Sequence, residues 1–362
     1  MTGQAAADAV ILIPSLEPDQ RLPAYIRNLA ASGFGHILVV DDGSAESYQP
    51  IFREIEAMDR ATVLHHDRNH GKGVALKTGY QYILDHYPDV SGVITADADG
   101  QHTVPDCLQL AAMLEEGKKA LYLGSRDFSS GNVPFKSSIG NRLTSICFRL
   151  MYGKWLRDTQ TGLRAFRREE LPMMIEVEGE RFEYEMNVLI ACTRHNIPMI
   201  SIPIETIYEN ENKGSHYHPL KDSVRIFKVL LRGFFRFMGS SLLCFLVDQG
   251  LAALLRAVLP GLGAASGSFL NVNISGWGAR LVSSVLNFNL NKNLVFRHKG
   301  KGARAAVKYA VLCVFIITLS NLGVWGLGQI GMAGWIAKIL MDALLYFVSY
   351  QAQEQWVFRE EK

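Results

Sequence analysis

The chain is poor in cysteine: Cys107, Cys147, Cys192, Cys244 and Cys313 are five in 362 residues, with no CxxC pair and no metal-ligand spacing. That scatter excludes a disulfide framework and suits a reducing compartment. Charge of one sign is also lacking. The formal net charge is only +2, no nucleic-acid-binding motif occurs, and no nucleic-acid partner is expected. The opening residues, MTGQAAADAV, lack a basic segment followed by an apolar core. No cleaved signal peptide is expected, and the N-terminal part is expected to stay in the cytoplasm.

What the chain does contain is unevenly distributed. Up to about Arg232 charges and turn residues recur throughout, whereas long apolar stretches dominate beyond it. The length also favours two domains. In the first part, short apolar runs at 10–13, 36–40, 62–65, 93–95 and 120–123 predict strands. Helical patterns at 22–32, 48–58 and 74–84 lie between them. This alternation predicts a Rossmann-like α/β domain with a mostly parallel sheet covered on both faces. Ligands of such sheets sit beyond the carboxyl ends of the strands.

The second part predicts an all-α membrane domain of four transmembrane helices at about 234–257, 268–290, 306–328 and 333–353, each near the ~20 residues a span requires. The middle connection is basic, with Arg297, His298, Lys299, Lys301, Arg304 and Lys308, while those around 260–261 and 329–334 carry no charge. The positive-inside rule then places the middle loop, both termini and the N-terminal domain on the cytoplasmic side. Between the two parts, Lys221, Arg225, Lys228, Arg232 and Arg236 recur at helical spacing opposite Val224, Phe227, Leu231, Phe234 and Met238. That is the pattern of a basic amphipathic helix at headgroup level. The predicted division is 1–218, a juxtamembrane helix at 219–233, and 234–362. Residues 286–296 echo 348–358, which predicts a parallel duplication of helix pairs. Asp248, Arg280, Asn287, Asn291, Lys338 and Asp342 are costly in lipid. They either line a polar path or pair between helices.

Several clusters carry chemistry. Asp97 and Asp99 follow a strand two residues apart, so their carboxylates point to one side and can converge on a hard cation such as Mg²⁺ or Mn²⁺. Gln101 can add a third oxygen. A turn cap is the structural alternative. Asp41 and Asp42, in DDGS, suit either a base N–H and ribose hydroxyl or a turn. Lys72, in NHGKG, offers a point charge beside glycines that admit close backbone approach. Arg126, in GSR, has forked donors that match a diphosphate; a surface ion pair is the alternative. Glu183 and Glu185 open a helix, where one faces an acceptor or both simply favour the helix start.

VVDDGS, NHGKG, DADGQH, GSR and DTQTGLRAF together resemble family 2 glycosyltransferases of the polyprenyl-phosphate kind, over roughly residues 10–230. Ile13-Pro14-Ser15-Leu16-Glu17 departs from that family's Pro-Ala-Tyr-Asn-Glu segment at the aromatic and the amide. The resemblance implies a GT-A fold and a metal at Asp97, Asp99 and Gln101. It puts the nucleotide against Pro14, Ser15, Glu17, Asp41, Asp42, Lys72 and Asp97-Ala98-Asp99. Arg126 falls near the phosphates, with Asp99, Arg126 and Glu183 taking part in the reaction.

Lys213, Ser215 and His216 match a loop the family places near substrate phosphates, and Arg225 joins them as an acceptor contact. The implied partners are a nucleotide-sugar donor, a polyprenyl phosphate of undecaprenyl or dolichyl type, the bilayer and a second copy in a homo-oligomer. The implied reaction is an inverting transfer, by analogy from a uridine-linked hexose. Arg236-Phe237, Asp248, and Asn287-Phe288 with Asn291-Lys292 resemble the four-helix GtrA-like membrane family, for which anchoring or lipid-linked sugar translocation is expected. Three rival readings remain. A processive polysaccharide synthase is opposed by the absence of a QxxRW motif. A transporter with an inactive transferase domain is opposed by the intact DAD and GSR segments. A nucleotidyltransferase is opposed by the lack of a glycine-rich basic start.

Overall fold

The structure is a computed structural model, and it describes residues 8–127, 135–205, 219–263, 268–296 and 302–358, with isolated positions 6, 265, 266, 298 and 300. Two compact units divide at Leu230, apart from 150–153, which group with the second unit.

In the first unit, β1 (Ala9–Ser15), β2 (His36–Asp41), β3 (Ala61–His65), β4 (Gly92–Thr95), β5 (Leu121–Arg126), β6 (Arg164–Arg167) and β7 (Met199–Ile204) form one sheet of order β3-β2-β1-β4-β6-β5-β7. β1 pairs in parallel with β2 and β4, and β2 with β3. β6 is antiparallel to both neighbours. The mostly parallel sheet is thus present, with one reversed strand. Arg164–Arg167, at and just past the end of the DTQTGLRAF segment, form β6, too short for a period to show. β1 and β2 are nearly continuous apolar runs because helices cover both faces. Ile11, Ile13, Val39, Phe52 and Ile94 share one core.

The helices are α1 (Arg21–Ala31), α2 (Gln49–Glu56), α3 (Lys72–His86), α4 (Val104–Glu115), α5 (Phe135–Tyr152), α6 (Leu171–Glu176) and α7 (Glu183–Arg194). α1 buries Leu22, Tyr25, Ile26 and Leu29 at i, i+3, i+4 and i+7. α4 starts where Thr103 Oγ1 accepts the Asp106 N–H at 3.2 Å, with Pro105 in its first turn. α3 starts at Gly71, whose φ is +105°, and a Cβ there would press on Glu180 O and the Arg181 side chain. In register, Ser15 lies opposite Asp41, Asp41 opposite His65, and Leu12 opposite Thr95. The carboxyl ends of β1 and β2 therefore finish level, β4 stops three residues short of them, and chain order reverses between β1 and β4. A binding crevice belongs there.

α8 (Pro219–Val258) begins in the first unit and continues into the second; with α9 (Phe269–Leu290), α10 (Gly302–Gln329) and α11 (Gly334–Ala352) it matches the four expected helices. The basic stretch 219–233 is not a separate element. It is the start of α8, a single helix of 40 residues, about 60 Å long at ~1.5 Å per residue. Among the described residues, two helices are long and apolar enough to cross a bilayer by length and composition, Lys221–Gly261 and Gly302–Gln329. α9 and α11 are shorter and carry Arg280, Lys338 and Asp342.

The echo between 286–296 and 348–358 is structural. Each copy closes in a π-helical turn, with Phe296 N–H donating to Asn291 O and Phe358 N–H to Gln353 O, both at 2.9 Å. Each also repeats one side-chain bond, Asn291 to Asn287 at 2.6 Å and Gln353 to Ser349 at 3.1 Å. The equivalent residues meet one another. Asn291 donates to Gln353 Oε1 at 2.9 Å, and Phe296 stacks on Phe358 at 5.1 Å. Like positions of the two copies thus touch each other. The polar residues of the spans pair between helices. Ser283 Oγ donates to Asp248 Oδ1 at 2.9 Å, Ser240 Oγ to Asn291 Oδ1 at 2.6 Å, and Ser320 Oγ to Asp342 Oδ1 at 3.0 Å.

Candidate active site

A cavity of about 810 Å³ opens at the carboxyl ends of β1, β2 and β4. Pro14, Ser15 and Glu17 line it from β1, Asp42 from the end of β2, and Lys72 from the start of α3. Asp97, Ala98 and Asp99 come from the end of β4, and Arg225 comes from α8. Lys213, Ser215 and His216 lie outside the described residues. Asp41, Gln101, Arg126 and Glu183 are not among the lining residues.

The floor of the cavity is a cluster around Asp97. Lys72 Nζ donates to Asp97 Oδ1 at 2.7 Å and bridges to Glu185 Oε1 at 3.0 Å. His102 Nε2 is 3.1 Å from Asp97 Oδ2 and must carry its proton there, because a carboxylate only accepts. Its other ring nitrogen is buried without a partner among the described residues. Gly162 packs so closely on Asp97 that a Cβ would overlap the carboxylate, and Thr95 Oγ1 fixes that glycine by donating to its carbonyl at 2.7 Å. Burial alone would raise the Asp97 carboxyl, but the Lys72 ammonium and then His102 overcome it and hold it well below the usual carboxylate range.

Asp99 is the opposite case. Burial, and then the negative charge of Asp97, push its carboxyl above the ordinary value, with the Gln101 N–H at 3.1 Å working against them. Two carboxylates, Asp97 and Glu185, thus hold one ammonium, and a third, Asp99, lies close enough to feel the charge of Asp97. This excess of buried negative charge on hard oxygens fits a divalent Mg²⁺ or Mn²⁺, which keeps open positions for phosphates. Asp97 and Asp99 are the residues that would hold it. Gln101 contributes its backbone N–H to Asp99.

The Asp-Asp pair divides its work. Asp42 Oδ1 accepts the His70 N–H at 3.0 Å and Oδ2 the Gly71 N–H at 2.7 Å, so it fixes the loop leading to Lys72 while lining the cavity. His66 holds it from behind at 2.8 Å. Asp41 closes the turn instead, taking the Ser44 N–H at 2.9 Å, the Gln49 amide at 3.2 Å and His65 Nδ1 at 2.9 Å. Gly43, at φ +75°, is obligatory in that turn, since a Cβ would overlap the Arg68 backbone. Glu17 has φ 47°, rare for a side-chain-bearing residue, and donates its N–H to Ser44 Oγ at 2.8 Å. Such strain is commonly held at functional sites.

Geometry sorts two of the expected residues. Arg126 is the last residue of β5. Its fork is engaged by buried Asp158, Nε to Oδ2 at 2.6 Å and Nη2 to Oδ1 at 3.0 Å. Of the two glutamates, Glu183 Oε1 accepts the N–H groups of Glu180 and Arg181 at 3.2 Å each, as a helix-start cap. Glu185 is the one that reaches the cluster. Residues two apart on a helix face nearly opposite ways, so only one of them can do so. Residue patterns alone also passed over His102, Arg181 and Phe182. His102 stands inside the quoted DADGQH segment, but only the fold turns it back onto Asp97. Arg181 and Phe182 line the cavity from the approach to α7.

Residues 10–175 match glycosyl transferase family 2, and residues 236–358 match the GtrA/DPMS transmembrane domain. An uncharacterised protein of Methanocaldococcus jannaschii is 30% identical over 230 residues, 62% of this chain and 92% of that protein. A UDP-N-acetylglucosamine–dolichyl-phosphate N-acetylglucosaminyltransferase of Methanococcus voltae is 27% identical, over 55% of this chain and 85% of that one. A polyprenol monophosphomannose synthase of Mycolicibacterium smegmatis is 26% identical, over 56% and 78%. The chain belongs to glycosyl transferase family 2, with a GT-A fold in its first unit and a GtrA/DPMS transmembrane domain in its second.

Proposed function

We propose that this glycosyltransferase moves a hexose from a uridine diphosphate donor to a polyprenyl phosphate, with inversion, at the cytoplasmic face of the membrane. One observation carries the reading. The cavity with the Asp97–Asp99 pair on its floor is also lined by Lys221 and Arg225, and the helix that supplies those cations runs on as an apolar span. The two relatives named for dolichyl phosphate and polyprenol support a lipid phosphate acceptor.

Asp97 and Asp99 would hold Mg²⁺ or Mn²⁺, whose charge offsets that gathering on the nucleotide diphosphate as it leaves. Pro14, Ser15, Glu17 and Asp42 would receive the nucleoside at the ends of β1 and β2. Lys72 and Arg181 stand where diphosphate oxygens would lie. Arg225, with Lys221 beside it, would receive the acceptor phosphate, helped by Lys213, Ser215 and His216. A phosphate oxygen is already anionic at neutral pH, so the attacking group requires no strong base. Glu185, tied to Lys72, positions charge instead of taking a proton.

The test is a panel of radiolabelled nucleotide sugars with short-chain polyprenyl phosphate, with and without chelator. Chelator-sensitive label in the lipid fraction from a uridine-linked hexose is expected. Label appearing only in a growing polysaccharide, or in no lipid product from any donor, would overturn the proposal.

A further inference from the structure

Lys72 occupies an unusual position for a residue meant to meet a diphosphate. Its ammonium is spent inside the protein, 2.7 Å from Asp97 Oδ1 and 3.0 Å from Glu185 Oε1. The face of Phe182 lies 5.7 Å away, and the side chain is only 15% exposed. His102 occupies the second Asp97 oxygen. Both oxygens of Asp97 are therefore hydrogen-bonded by the chain's own side chains, one of them by a full positive charge. Asp99 is treated differently: its Oδ1 takes a backbone N–H, that of Gln101. A divalent cation bound at about 2 Å from the carboxylate oxygens would lie within about 5 Å of the Lys72 ammonium. Two cations that close, with little water between them, repel strongly.

The geometry points to Lys72 as a resident counter-cation that competes with the divalent metal for Asp97. Metal alone then binds weakly, through Asp99. Metal and diphosphate bind tightly only together, because the anionic diphosphate draws the ammonium off Asp97. The inference rests on the transferase reading above, and it assigns Lys72 a role before chemistry begins: it couples metal to donor. Glu185 keeps the lysine poised at the cavity floor through that exchange, so the ammonium has an anchor on either side of the move.

Mn²⁺ binding to the full-length protein in detergent tests this, followed by the paramagnetic resonance signal of the free ion. Mn²⁺ alone is expected to bind Lys72→Met and Lys72→Gln about tenfold or more tighter than wild type, as removal of a neighbouring like charge requires. Added UDP should tighten Mn²⁺ on the wild type more than on either variant. Equal or weaker Mn²⁺ binding by the variants, or equal UDP coupling, overturns the inference. A second measurement needs no substitution. Mn²⁺ with UDP should raise the rate at which Lys72 of the wild type is acylated by an amine reagent, read by mass spectrometry relative to other lysines. A rate that is unchanged with Mn²⁺ alone and with UDP overturns it. The Mn²⁺-only arm uses neither sugar nor lipid, so it can fail while radiolabel still reaches polyprenyl phosphate, and the reverse.

Discussion

Asp99 and Asp97 differ at the residue scale although two positions separate them. Asp97 is neutralised from both sides, whereas burial and its neighbour raise Asp99. Asp99→Asn keeps the shape and removes the charge, and sugar transfer is expected to fall by about 100-fold or more, the scale of losing one preorganised electrostatic contact. Radiolabel transfer under saturating donor measures it. Gly162 supports Asp97 from behind. Gly162→Ala should cut kcat by about 100-fold through misplacement of that carboxylate, at a stability cost of about 1–3 kcal/mol, read from kinetics and thermal unfolding together.

A third test concerns His65, whose ring nitrogens face Asp41 at 2.9 Å and Glu56 at 3.2 Å. Burial lowers the affinity of this imidazole for its proton, but hydrogen bonds to the two carboxylates outweigh it and raise the pKa above its ordinary 6.5. A raised folded value means the contribution is complete below the unfolded pKa and is lost as pH rises through the folded one. Asp41 runs the other way. Burial opposes it, yet Ser44 and His65 lower it below 3.8, so its contribution is lost only as pH falls through that lower value. The gap in melting temperature between wild type and His65→Gln should therefore be larger at about pH 5 than at about pH 8. An equal gap at both would refute the pairing.

At the scale of elements, α8 matters most. Its basic residues and its apolar span read as two things in the sequence, a juxtamembrane helix and a membrane helix. The structure makes them one helix of 40 residues, because no proline interrupts it after Pro219 and Gly233 and Gly239 cost too little to break it. Lys221 and Arg225 therefore enter the cavity from the helix that carries the first span. Arg225→Glu is expected to raise the KM for polyprenyl phosphate about tenfold, the worth of one charge-assisted contact, and to leave the KM for donor unchanged. Steady-state kinetics with each substrate varied in turn distinguishes this from a general loss of fold. The strand ends are the other element-scale result. Ser15 lies opposite Asp41 where β1 and β2 end, and Thr95 ends β4 opposite Leu12. The polar clusters that follow those strands are therefore neighbours despite lying 25 or more residues apart.

At the scale of the whole molecule, the positive-inside rule applied to the basic connection between α9 and α10 and the uncharged connections on either side of it predicts a sidedness. Single cysteines at Gly261 and Gly331, in a variant cleared of its own five, should react with an impermeant thiol reagent applied outside intact cells. A cysteine at Gly300 should react only after permeabilisation. The reverse pattern would place the transferase unit on the outer side and remove its access to cytoplasmic nucleotide sugars.

The sequence by itself settled what depends on local pattern. Strand and helix alternation gave the parallel-rich sheet, the spacing of Asp97 and Asp99 gave a shared direction for two carboxylates, and the echo of 286–296 in 348–358 marked the duplication. These are short-range consequences of a two-residue period, a 3.6-residue period and repeated residue types. Tertiary structure alone decided which charge meets which. Arg126 and Glu183 have the right chemistry for the site. Yet Asp158, 32 positions from Arg126, engages the guanidinium, and the start of α7 takes the Glu183 carboxylate. Glu185 reaches Lys72 from α7, 113 positions away, and His102 folds back onto Asp97 from five residues on, in an irregular segment after β4 that follows neither local period. A buried charge must find a partner wherever the fold provides one, and the partner is fixed by packing between elements, which a linear pattern does not carry.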